Sequence, residues 1–192
     1  MKTTKKALVL ALCAVLLVVS TVFVTMAYLT STDSVKNTFT VGDVAITLDE
    51  AEVETDGTVI ADAERVKANK YHLIPAHYYV KDPTIHVADG SEDCWVFVKL
   101  ENGLKDIIAS ETIEEQMTTN GWTCIDTTNN IWAHADIANA GDDVVVFENF
   151  TLEGDADVAN YADAEINVTG YAVQADGFTT ADAAWTAAFA NN

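Results

Sequence analysis

The side chains with most chemistry to offer in this chain of 192 residues are four histidines, His72, His77, His86 and His134, and the cysteines Cys94 and Cys124. His72 and His77 stand five apart, which puts them on opposite faces of a strand. They meet each other and His86 only if tertiary folding gathers them. No HExxH pattern is present, so the histidines read as surface or edge-strand residues rather than a metal centre. A secreted hydrolase would need His72, His77 and a carboxylate around one ion. Ser34, Ser91 and Ser110 lack a nucleophile elbow, and a thiolate nucleophile would need a histidine beside it. With thirty acidic residues, almost any two could be drawn as a glycosidase pair, so none is singled out. Phosphate-loop and dinucleotide motifs are absent.

Oxygen ligands are plentiful at Asp142-Asp143 and at Glu153, Asp155, Asp157, Asp163 and Glu165, but none follows the twelve-residue EF-hand spacing. No cofactor is expected beyond weak calcium binding. Of the tryptophans, Trp95 and Trp185 fall in core patterns. Trp132, in NNIWAH, is expected at the surface, where a glycan-binding adhesin would use it as a platform.

The elements that carry these residues begin with an export pattern. Lys2, Lys5 and Lys6 precede an apolar run from Ala7 to Val24, followed by the small residues Thr25 and Ala27. This reads as a signal peptide over residues 1–27, cut between Ala27 and Tyr28; a retained anchor is the alternative, because the run is just long enough to span a bilayer. Cleavage leaves 165 residues (192 minus 27), enough for one domain with its own core. Ten basic residues less those three lysines leave seven against thirty acidic ones, a formal charge of 7 − 30 = −23. Such a surface disfavours nucleic acid and anionic lipid, and contact with a membrane is expected only through the signal. Outside the cell a disulfide is allowed. Cys94 opens the alternation CWVFVKL and Cys124 sits in GWTCI, so the two could staple neighbouring strands or remain buried thiols.

Residues 28–41 read as polar and extended, with Tyr28, Val35 and Phe39 as spaced apolar anchors. Val44, Ile46 and Leu48 then share one face of a half-buried strand. An N-terminal strand of this kind either pairs within its own domain or completes the sheet of a neighbour. Downstream, ADAERVKANK lacks large apolar residues and reads as a loop or a helical turn. Ile85 and Val87 face one way, and Cys94 to Leu100 is apolar on both faces, as in a central strand. Ser110 is expected to cap a short helix that carries Ile113 and Met117 and ends at Asn120-Gly121. Residues 121–125 and 130–133 form a ribbon, Val144 to Phe147 a strand, and residues 148–163 a polar link. Ile166 to Gln174 alternates around Gly170, where a bulge would shift the phase. Thr179 is expected to cap a last helix bearing Ala184, Trp185, Ala188 and Phe189. Strands separated by short turns, with two modest helices, indicate an all-β antiparallel sandwich over residues 42–192.

Three stretches, residues 26–50, 73–102 and 166–185, resemble the TasA and camelysin-like secreted proteins of Gram-positive bacteria, whose signal peptide is handled by the SipW class of signal peptidase. The junction MAYLTSTDSVKNTFTVGDVAITLDE is the most specific part. The resemblance implies a jelly-roll β-sandwich that polymerises into extracellular fibres of biofilm matrix or cell surface. Residues 28–41 would be a donor strand filling the edge of the next subunit, with Tyr28, Val35 and Phe39 reaching into it. Implied partners are other copies, head to tail, together with accessory matrix or anchoring proteins. Pro75-Ala76 stands where relatives often have Pro-Gly, which predicts no left-handed backbone at residue 76. Camelysin-like members are also classed as metallopeptidases, the third alternative beside fibre and adhesin. No zinc ligands are recognisable for that role, and the activity is not carried over.

Overall fold

The computed structural model describes residues 30–33 and 44–189. The signal segment with its Ala27/Tyr28 junction, and the anchors Val35 and Phe39, lie outside the described residues.

Among the described residues every strand pairing is antiparallel, and two short α-helices accompany the sheets. The largest sheet has the order β1 (Thr30–Asp33), β10 (Ile166–Gln174), β5 (Cys94–Asn102), β7 (Ile131–His134), β6 (Trp122–Asp126). A second sheet joins β2 (Ile46–Asp49), β4 (Thr84–Val87) and β8 (Asp143–Val145), and a ribbon joins β3 (Tyr78–Val80) to β9 (Asn149–Thr151).

The central place of β5 follows from its sequence. Apolar residues on both faces need cover on both faces, and all of Cys94 to Val98 is buried. On one side Val96, Val98, Leu100 and Ala172 pack with Ile46, Ile85, Val87 and Val144 of the second sheet. On the other, Trp95, Phe97 and Val173 lie beneath the helix α2 (Ala181–Phe189), whose Trp185 ring is 5.1 Å from Phe97 and 4.4 Å from Phe189.

The bulge expected at Gly170 does not form. The register of β10 on β5 runs unbroken from Ile166 opposite Asn102 to Gln174 opposite Cys94. A Cβ at residue 170 would lie 3.3 Å from Ile85 Cδ1 and 3.6 Å from Ile46 Cδ1. Glycine there lets the second sheet close onto the first, while Tyr171 and Val173 stay on the helix-covered face. The bulge falls instead in β6, between Cys124 and Asp126.

The helix α1 spans Ile113–Thr119, and its cap is Thr112, not Ser110. Thr112 Oγ1 accepts from the Glu115 N–H at 3.2 Å and Glu115 returns a bond to the Thr112 N–H at 2.8 Å, a reciprocal capping box. The last helix is likewise capped by Thr180, whose Oγ1 accepts from the Ala183 N–H, rather than by Thr179. The polar link is interrupted by β9, which buries Phe150 against Tyr79 with ring centroids 4.9 Å apart. Ala76 has φ 58°, a left-handed residue where none was expected; it directs the chain so that the Ala76 N–H donates to Glu153 O at 3.1 Å.

Candidate strand-acceptor groove

The two ends of β10 have different neighbours. Strand β1 covers Gly170 to Val173, with Asp33 opposite Gly170 and Thr30 opposite Val173. Along Ile166 to Thr169 no described strand pairs with the side of β10 that faces away from β5. Beside this stretch lies a groove of about 760 Å³, lined by Ile166 to Thr169, by Leu48 and Asp49 of β2 and by Glu50 just after it. Tyr71, Leu73, Leu104 and Phe150 contribute its apolar lining, with Lys67 and Lys70 at residues 67–70 of the connecting loop. Ile166, Val168, Leu48 and Leu73 are half-buried hydrophobics packed against the main core. A sheet edge next to half-buried apolar side chains is the kind of arrangement to which a strand can be added.

Polar bonds fasten the floor. Glu50 is buried, and its carboxylate accepts from Lys81 Nζ at 2.5 Å and Asn69 Nδ2 at 3.0 Å. Asn69 Nδ2 also donates to Ala51 O, and Asn69 Oδ1 accepts from the Val53 N–H, so the loop is tied to the chain leaving β2. Tyr71 OH donates to Val80 O at 3.0 Å. Burial, then the charges of Glu50 and Asp82, push this phenol well above its ordinary pKa of 10.0, so Tyr71 remains a neutral donor.

The remaining sequence-predicted residues are dispersed. Strand β7 lies between β5 and β6, so Cys94 and Cys124 are two strand spacings apart, about 9.5 Å before any offset along the strands. A disulfide bridges Cα atoms no more than about 7 Å apart. Both are free thiols, Cys94 buried and Cys124 half-buried, so of the two alternatives the structure has the thiols and not the staple. Burial, followed by Asp93 and Asp142, pushes the Cys94 thiol up to about 12, which makes it a poor nucleophile.

Among the histidines, His77 Nε2 contacts Asp56 O and His134 Nδ1 contacts Asp136 O. His86 contacts two aspartates, Asp143 and Asp49. Among the described residues no group of three or more His, Cys, Asp or Glu side chains converges as a metal site. Several of the acidic side chains accept from side-chain amides: Asp142 from Asn139, Asp157 from Asn160 and Glu165 from Asn167. Trp132 is buried, and its indole N–H donates to Asn130 Oδ1 at 2.8 Å. Its expected role as an exposed platform is therefore overturned.

The groove was missed in the sequence because its walls come from residues more than a hundred positions apart. No protein-family model matches the chain, and neither do curated proteins or solved structures.

Proposed function

We propose that the chain is a secreted structural subunit that joins head to tail into extracellular fibres. In this reading the signal over residues 1–27 is removed at Ala27/Tyr28, and residues 28–41 of one copy add as a strand to the sheet edge of the next. The five- and three-stranded sheets then act as the two layers of a jelly-roll-like sandwich. The observation that carries the reading is the uneven edge of β10. Among the described residues it takes a strand from its own N-terminal segment along Gly170 to Val173 and none along Ile166 to Thr169, where an apolar groove lies beside it.

Strand exchange costs little, because the same backbone bonds form whether the strand comes from the same copy or another one. Backbone bonding is indifferent to side chains, so register falls to the anchors Tyr28, Val35 and Phe39. Head-to-tail addition does not close on itself, and an open filament results. The acidic surface predicts that assembly responds to salt and divalent cations.

The test is a double variant, Val35→Asp with Phe39→Asp. It should give a folded monomer, with far-ultraviolet circular dichroism unchanged, that forms no fibres in negative-stain images. Normal fibres from this variant would remove the donor-strand assignment.

A further inference from the structure

On the outer face of the second sheet, one imidazole touches all three strands. His86 belongs to the middle strand β4, where Ile85 and Val87 point into the core and His86 therefore points outward. Its Nδ1 is 2.5 Å from Asp143 Oδ1 of β8, and its Nε2 is 2.9 Å from Asp49 Oδ1 of β2. An ionised carboxylate only accepts, so both ring nitrogens donate in this arrangement, and only imidazolium has two N–H groups. We propose that His86 is a proton-operated clasp, which in its charged form adds side-chain ties from β4 to both β2 and β8 and on losing its proton gives up one of these ties.

The surrounding charges are arranged for that role. From the loop before β3, Arg65 donates through Nε to Asp49 Oδ1 at 2.5 Å and through Nη1 to Asp82 Oδ2 at 2.8 Å. Arg65 Nη2 also reaches Thr84 Oγ1 at 3.0 Å. Asp82 is thus occupied by Arg65, Asp142 is turned to Asn139, and Thr47, opposite His86 on β2, is uncharged. That leaves Asp49 and Asp143 as the carboxylates facing the ring. Asp49 is the better sheltered, with its side chain 21% exposed against 66% for Asp143. Neutral His86 keeps a single N–H; the other nitrogen would turn a lone pair toward a carboxylate, and the bond there is lost.

Partial burial opposes the charge on His86, but the bonds to Asp143 and Asp49 outweigh it and lift its pKa above 6.5. A raised folded-state pKa gives stability that is full below the unfolded value and is lost as pH rises through the folded value. The clasp is closed in mild acid and opens on the alkaline side. Leu48 and Asp49 of β2, with Glu50 just after it, line the groove, so the proton also governs how firmly that wall is held. This last consequence rests on the proposed function, while the clasp itself is a property of the single chain.

The test is a proton NMR titration of the His86 ring in the purified protein. The predicted midpoint lies above 6.5, with the Thr47 and Leu48 amide signals moving at the same midpoint. A midpoint at or below 6.5, or β2 amides that do not follow it, would overturn the clasp. Urea unfolding at pH 6 and pH 9 gives an independent readout. The unfolding constant of the wild type should rise more than that of His86→Gln between these two pH values. Equal rises in the two proteins would also overturn it. Should His86→Gln fail to fold, Asp143→Asn replaces it and should lower the His86 midpoint; an unchanged midpoint would count against the clasp. None of these readouts depends on fibre formation, so the clasp and the fibre reading can fail separately.

Discussion

The two halves of β10 share a strand, a partner in β5 and a sheet, yet they are finished differently. From Gly170 to Val173 the strand has β5 on one side and β1 on the other, with Gly170 seated against Ile85 and Val173 under the helix-covered cluster. From Ile166 to Thr169 only β5 pairs with it among the described residues, and a groove whose floor is held by the Glu50–Lys81 pair and Asn69 lies beside it. Packing completes the first half. The second is supported from below by that polar floor.

The sharpest way to break this comparison is Glu50→Ala. Lys81, with 11% of its side chain exposed, would be left without its counter-charge, and losing one partner of a buried pair costs about 3 to 5 kcal/mol. Urea unfolding should show a loss in that range; a loss below about 1 kcal/mol would mean that the groove floor is not held by this pair.

Matched truncations then compare the halves directly. Val173 is 1% exposed, and Val173→Ala should cost about 2 kcal/mol from lost burial and the remaining cavity. Val168 is half-buried, and Val168→Ala should cost roughly 1 kcal/mol or less. Equal costs in the isolated monomer would indicate that the open half is already filled.

The smallest effect is expected away from both halves, at Ala76. A left-handed L-residue costs roughly 1 to 2 kcal/mol, while glycine gives back roughly 0.5 to 1 kcal/mol through its freer unfolded chain. Ala76→Gly should therefore stabilise by about 0.5 kcal/mol, seen as a higher urea midpoint with an unchanged slope.

Much of the fold was legible because local pattern and burial agree. The two-faced apolar run at Cys94 to Leu100 could only be covered on both sides, and the alternation at Ile85 and Val87 pointed His86 outward. Errors arose where one residue type serves two purposes. Gly170 could mark a bulge or a close approach of backbone, and only the position of Ile85 decides between them. Ser110 and Thr112 are both capping residues, but the Glu three positions after Thr112 was a sequence signal for the correct choice. Strand β9 is too short for a period to show, and only Phe150 and Leu152 hinted at burial within the polar stretch. The groove, the Asp49–His86–Asp143 contacts and the separation of Cys94 from Cys124 all depend on which strands become neighbours. Spacing along the chain does not contain that information.

The central claim is that residues 28–41 join one copy to the next. Negative-stain electron microscopy of protein beginning at Tyr28, beside protein beginning at Gly42, each with and without millimolar calcium, tests it most directly. The account predicts fibres from the first protein and none from the second. Monomers from both in every condition, or equal fibres from both, would contradict it.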